Sequence, residues 1–339
     1  MTTYYGLYGQ KVQYLASDPT DVQTGQVWYN STSATLKVRA VTTSGTYSSG
    51  GNMNTGRKTL GGVGSQTAAL GFGGYEIPNY LSASESYDGT SWTNTPSLSS
   101  ARGIAASAGT QTSALYAGGF AGGPHPSPVA ALTEEWNGSS WSGGGNMNTG
   151  RNWPSGSGTQ TAALAFGGGT PIIGYTTGYT EEYDGSAWTT GGNLNTARSN
   201  CGRTGNGTQT ATLAFGGFEI PPGNTLASTE SYNGTSWTSV NSLNTGRSFY
   251  GSGGGTQTTA LAMAGADAVG NVNQTEDWNG TSWTINGASL NILRNSMAGA
   301  GTQTSALIFG GAAPGNVTQT STEEYSGAGV AVTRTVTVS

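Results

Sequence analysis

GTQTAALAFGGG, residues 158–169, is the unit from which the chain is built. It returns as SQTAALGFGG (65–74), GTQTSALYAGG (109–119), GTQTATLAFGG (207–217), GTQTTALAMAG (255–265) and GTQTSALIFGG (301–311). Each copy runs from a turn-like Gly-Thr-Gln-Thr through a short apolar run to a glycine pair or its close equivalent. Inside the run the apolar residues alternate with period two, the signature of a strand. Leu70, Leu115, Leu164, Leu213, Leu261 and Leu307 hold one position. Two residues on stand Phe72, Ala117, Phe166, Phe215, Met263 and Phe309. These side chains are expected to face a neighbouring sheet.

Working outward, each copy is preceded by one arginine: Arg57, Arg102, Arg151, Arg198, Arg247 and Arg294, at intervals of 45, 49, 47, 49 and 47 residues. A glutamate follows each glycine pair: Glu85, Glu134, Glu181, Glu230, Glu276 and Glu323. Two residues later comes an aromatic (Tyr87, Trp136, Tyr183, Tyr232, Trp278, Tyr325), then a tight turn, then in five copies a tryptophan (Trp92, Trp141, Trp188, Trp237, Trp283). The turns are Asp-Gly or Asn-Gly in five copies, which tolerate positive φ in hairpins. Four short strand patterns per repeat of this length describe a propeller blade.

The order Arg, apolar run, Gly-Gly, Glu-x-aromatic, turn, Trp resembles the Kelch repeat over residues 47–327. That resemblance implies an all-β, six-bladed β-propeller, with a short N-terminal hairpin before it. The division expected is residues 1–45 as an extension, 46–330 as the propeller and 331–339 as a C-terminal strand. The sixth copy has Val330 where the tryptophan should stand, while Tyr47 precedes Arg57 by the spacing that Trp141 keeps from Arg151. The strand at Tyr47 is therefore expected to complete the sixth blade. The C-terminal strand would then add outside that blade or pair with the N-terminal hairpin.

Composition narrows the functional classes. The chain has 339 residues, 58 glycines, 9% charged residues and a net charge of −5. Its basic side chains are dispersed, which argues against phosphate-backbone contacts and so against nucleic acid as a partner. No apolar run reaches spanning length, so membrane insertion is not expected. The start MTTYYGLYGQK carries no secretory signal pattern, and one cysteine, Cys201, allows no internal disulfide. Residues 1–45, with DP…GQVWYN…LKVR, resemble a short module of bacteriophage structural and tail proteins. That implies an anchor to other virion proteins, in a particle made in host cytoplasm.

The six arginines and six glutamates read either as a ring of charge around a pore or as structural ion pairs, and sixfold repetition favours the structural reading. The second acids Glu135, Glu182, Asp277 and Glu324, which alternate with Ser86 and Ser231, are expected to be solvated. Copper-oxidase chemistry of Kelch-type propellers needs a Tyr–Cys crosslink and two histidines; this chain has one histidine, His125. SYDGTSW (86–92) approaches the sialidase-type turn, but its Asp and Gly are adjacent. No triad, metal cluster or phosphate loop is legible, so no cofactor is expected and the protein reads as non-enzymatic. Variation concentrates instead in the loops 75–84, 120–133, 169–180, 218–229, 266–275 and 312–322. Loops on a rigid scaffold are where recognition usually lives. Tyr75, Tyr80, Phe120, His125, Ile172, Tyr175, Tyr179, Phe218 and Ile220 are the candidate contacts for a host-surface glycan or protein.

Overall fold

The computed structural model describes residues 12–20, 25–41, 44–122, 128–170, 175–249, 253–328 and 331–336. The chain divides into two units, Thr46–Ser326 and a smaller one made of Met1–Gly45 with Gly327–Ser339. Val330, His125 and Ile172 lie outside the described residues.

Among the described residues, the Thr46–Ser326 unit holds six four-stranded antiparallel sheets in a propeller-like, all-β arrangement. The first sheet is built from Gly61–Gly64, Ala69–Phe72, Ser84–Tyr87 and Trp92–Thr95, in spatial order. The next four follow the same plan over 106–143, 155–190, 202–240 and 254–289. The sixth takes Ala298–Gly301, Ser305–Phe309 and Thr322–Ser326 from the late chain, then Thr46–Gly50 from the early chain, with Tyr47 opposite Tyr325.

Packing runs from each sheet to the next. Leu70 and Phe72 of the first sheet share a core with Ala114, Tyr116 and Trp136 of the second. Leu164 and Phe166 of the third pack on Ala214, Tyr232 and Trp237 of the fourth. Leu307 and Phe309 of the sixth return onto Ala69, Tyr87 and Trp92 of the first. In the third, fourth and sixth sheets the second strand thus inserts its leucine and phenylalanine against alanine of the following sheet, whereas Leu70 and Phe72 meet Tyr116, and Leu261 and Met263 meet Ile308.

Hydrogen bonds repeat the same order, and they explain why Gly-Thr-Gln-Thr scarcely varies. Gln160 Nε2 donates to the carbonyls of Ala114 (3.2 Å) and Trp136 (2.7 Å) in the preceding sheet. Gln66 of the first sheet reaches Ala306 O (3.1 Å) and Tyr325 O (2.8 Å) of the sixth. The glycine pair has an equally local cause. Gly167 turns at φ +67°, and a Cβ there would stand 2.4 Å from the Arg198 carbonyl. That same carbonyl accepts the Gly168 N–H at 2.8 Å.

The smaller unit is one sheet in the order Gln13–Leu15, Val27–Asn30, Thr35–Val41 and Ala331–Val336. The C-terminal strand thus pairs with the N-terminal hairpin, Leu36 opposite Val336. Its motif residues converge on one carboxylate. Asp18 Oδ1 accepts from Trp28 Nε1 (3.0 Å) and Asn30 Nδ2 (2.7 Å), and Oδ2 pairs with Lys37 Nζ (2.6 Å). These three bonds, Lys37 first, hold the Asp18 carboxyl down at about 2.

Candidate functional site

The repeated charges are consumed inside the sheets. Arg57–Glu85 (3.0 Å), Arg102–Glu134 (3.1 Å), Arg151–Glu181 (3.1 Å), Arg198–Glu230 (2.7 Å), Arg247–Glu276 (2.7 Å) and Arg294–Glu323 (3.1 Å) are buried pairs. Each glutamate also accepts backbone N–H groups ahead of its arginine, as Glu181 does from Asn148 (2.7 Å). Each arginine donates to backbone carbonyls, as Arg151 does to Tyr179 O (2.7 Å). Burial lowers the Arg151 guanidinium to about 10, against the opposing pull of Glu181. These buried pairs pin the loops, although Nε of Arg57, Arg102, Arg151, Arg247 and Arg294 has no hydrogen-bond partner among the described residues.

The second acids, expected to be solvated, are half-buried and linked by hydrogen bonds to the neighbouring sheet. Tyr183 Oη donates to Glu135 (2.5 Å), Tyr232 to Glu182 (2.6 Å) and Tyr87 to Glu324 (2.7 Å), each across to the neighbouring sheet. Asp277 is shorter, and Asn286 Nδ2 bridges it (2.9 Å) to Tyr325 Oη (2.6 Å). The sheets with Ser86 and Ser231 are followed by Trp136 and Trp278, which have no phenol and donate instead to Gln111 O and Gln257 O, each at 3.0 Å. An acid is thus always followed round the order by tyrosine, and a serine by tryptophan.

The loop residues divide. Tyr175 and Tyr179 are exposed, and Tyr75, Phe218 and Ile220 are half-buried. Tyr80 (6%) and Phe120 (8%), expected at the surface, are buried. They go inside because each loop folds back within its own repeat: Tyr75–Glu76 pairs with Asn79–Tyr80, and Arg102–Gly103 pairs with Phe120–Ala121. In the fifth sheet, 266–275 is largely strand, with Ala260–Ala266 pairing onto Asn271–Trp278.

Four aromatics form an arc. Ring centroids lie 5.0 Å apart for Tyr75–Tyr80, 6.1 Å for Tyr80–Phe120 and 6.0 Å for Phe120–Trp153. Tyr75, Tyr80 and Trp153 of this arc line a cleft of about 310 Å³ together with Lys58, Thr59, Ile104, Asn295, Ser296 and Asn316. Lys58 Nζ is bonded to Asn316 Oδ1 and sits 5.5 Å above the Tyr75 ring. Burial lowers the lysine's pKa. Phe218 and Ile220 stand elsewhere. Ile220 O accepts from Thr176 N (3.0 Å), and Phe218 borders a separate shallow groove.

The floor of the cleft is a feature that sequence reasoning missed. Two residues after the repeat arginine, Thr59, Ile104, Trp153, Asn200 and Ser296 have φ of 54°, 63°, 54°, 53° and 57°. A β-branched residue at positive φ is a genuine outlier. The backbone there is linked from sheet to sheet. Thr59 N–H donates to Ser296 O (2.7 Å), Ile104 to Thr59 (2.9 Å), Trp153 to Ile104 (2.9 Å), Asn200 to Trp153 (3.2 Å) and Phe249 to Asn200 (2.8 Å). A second, water-sized cavity of about 20 Å³ adjoins, lined by Thr59, Ile104, Trp153 and Asn200 among others. Arg203, off the repeat register, runs from the fourth sheet across to inner-strand oxygens of the first three: Gly62 O (2.7 Å), Ser107 Oγ (2.8 Å), Ser107 O and Gly156 O (2.6 Å). Its guanidinium is fully enclosed, and burial lowers it to about 10.

No group of three His, Cys, Asp or Glu side chains among the described residues could hold a metal. No helix of the described residues is long and apolar enough to cross a membrane. No family model matches the chain, and no curated protein matches it. Among solved structures, one titled "Structure of YjhT" is similar in fold, with a TM-score of 0.66 over 80% of this chain and 95% of that one. At 15% identity the likeness concerns the fold alone.

Proposed function

We propose that Thr46–Ser326 is a six-bladed propeller of the Kelch type whose loop face recognises a glycan or protein on a host cell surface. On this reading the protein is a non-enzymatic bacteriophage virion component, a tail fibre, adaptor or capsid decoration, joined to other virion proteins through residues 1–45. The observation that carries recognition is the aromatic arc from Tyr75 to Trp153 beside a cleft. An apolar-walled concavity with a few polar groups is the usual form of a binding site. The phage reading is supported by the DP…GQVWYN…LKVR resemblance, whose Asp18, Trp28, Asn30 and Lys37 form one hydrogen-bonded cluster.

The test is a replacement of residues 121–128 by Gly/Ser, which spares buried Phe120 and Ala130. It should reduce adsorption to host cells and leave the melting temperature unchanged; undiminished adsorption would sink the reading. A second reading, a glycan-binding or glycan-active bacterial Kelch-type protein, is favoured by the same cleft. Chemical turnover of a glycan, as opposed to its retention, would select the glycan-active form of that reading.

A further inference from the structure

We infer that the ring position two residues after each repeat arginine carries the ligand specificity, and that the ligand at the cleft floor is an uncharged saccharide. This rests on the loop-face reading above and names its chemistry. At this position five copies share a positive φ while carrying five different side chains, Thr59, Ile104, Trp153, Asn200 and Ser296, and the remaining copy has Phe249. Two residues further on the set narrows to small residues: Gly61, Ala106, Ser155, Gly202, Gly251 and Ala298. Strained backbone that persists at an equivalent point in five copies needs the surrounding structure to enforce it, and such strain clusters at binding sites.

Two buried polar atoms point to what binds. Trp153 Nε1 and Asn200 Oδ1 have no partner among the described residues. Asn200 is more than nine-tenths buried, and both residues line the small cavity that shares Thr59 and Ile104 with the cleft. One is a donor only; the other is an acceptor only. A hydroxyl satisfies both at once, accepting from the indole and donating to the amide. A cavity of about 20 Å³ has room for one such oxygen. Above it, the Tyr75 and Trp153 rings offer flat apolar walls, and Asn295 and Asn316 offer neutral amides. The lining has one charged group, Lys58, already bonded to Asn316. A cleft of about 310 Å³ sits at the small end of ligand sites and suits a mono- or disaccharide better than a peptide chain.

The experiment uses the full chain and a panel of D-glucose, D-galactose, N-acetyl-D-glucosamine and D-glucuronate at millimolar concentration. Binding is read by saturation-transfer NMR and titration calorimetry. Trp153→Phe keeps an aromatic ring and removes the donor; Asn200→Gly keeps the positive φ and removes the acceptor. A neutral sugar should bind, and each variant should weaken it about tenfold or more with the fold intact by circular dichroism. Binding of a neutral sugar that neither variant disturbs overturns the assignment while leaving the loop-face reading standing. Binding of glucuronate alone, lost in Lys58→Met, overturns the uncharged class. Failure of the whole panel overturns the saccharide site, and host-cell adsorption of the 121–128 replacement then judges the wider reading separately.

Discussion

Tyrosine hydroxyls do at the sheet boundaries what a generic apolar contact could not: they distinguish one neighbour from another. Glu135 suits Tyr183, and Ser231 suits Trp278, so the pairs are complementary in chemistry as well as volume. Tyr183→Trp and Glu135→Ser should each destabilise, because each leaves a buried polar group without its partner. The double variant recreates the serine–tryptophan pair found elsewhere in the molecule and should recover part of the loss. A coupling energy of about 0.5–3 kcal/mol is expected from denaturant unfolding; strict additivity would show that the pairs are independent. The same phenols set an alkaline limit. Burial, then the bond to a carboxylate, raises Tyr87 and Tyr183 to about 12. Their contribution is complete below the unfolded value near 10 and disappears as pH rises through 12. A pH titration of melting temperature should therefore fall over that interval, and Tyr183→Phe should flatten the fall.

At the scale of single elements, the small sheet should respond to acid. Asp18 is held to about 2, below its ordinary 3.8, chiefly by Lys37, then Asn30 and Trp28. Its stabilisation is present above about pH 4 and is lost as pH falls toward 2. Near-ultraviolet signals from Trp28 should change in that window and should be insensitive to it in Asp18→Asn. Much at this scale was legible beforehand. Alternating Leu and Phe placed the second strands, and the Arg and Glu intervals placed ion pairs that the sheets bury. Other features escaped because their meaning lies between copies. The alternation of Glu135 and Glu182 with Ser86 and Ser231 is visible in one dimension, but its partner is in the next sheet round, nearly fifty residues away. Gln160 looked like part of a turn because nothing local reveals that it spans to Ala114 and Trp136. Tyr80 and Phe120 looked exposed because loop composition does not show that a loop will fold back onto its own repeat. The series of Thr59, Ile104 and Trp153 was hidden for the opposite reason: its side chains differ, and its common feature is a backbone angle. Arg203 has no counterpart at all.

For the molecule as a whole, the sixth sheet makes a sharp prediction about truncation. Removing 1–45 and 328–339 together leaves Thr46–Gly50 paired to Thr322–Ser326 and should give a folded unit with little change in melting temperature. Extending the first cut through residue 50 removes Tyr47 from its place beside Tyr325, where the ring centroids are 5.0 Å apart. It also strips the hydroxyl that bonds Thr275 Oγ1 at 2.9 Å. The shorter chain should melt well below the longer one, or fail to fold; equal melting temperatures would show the outer strand to be dispensable.

The shared sheet also has a consequence in time. A ribosome delivers Thr46–Gly50 ahead of the other strands of these six sheets and Thr322–Ser326 behind them, so the early strand waits through their synthesis for its partner. Until then Leu307 and Phe309 do not yet exist to cover Ala69 and Trp92, and the first sheet keeps a bare apolar flank. Long-range pairing of this kind is slow, and the waiting surface is prone to misassociation. The nascent chain should therefore be most dependent on chaperones just before Thr322–Ser326 emerges. A circular permutant that opens between two other sheets would move that vulnerable interval to a different stage of synthesis.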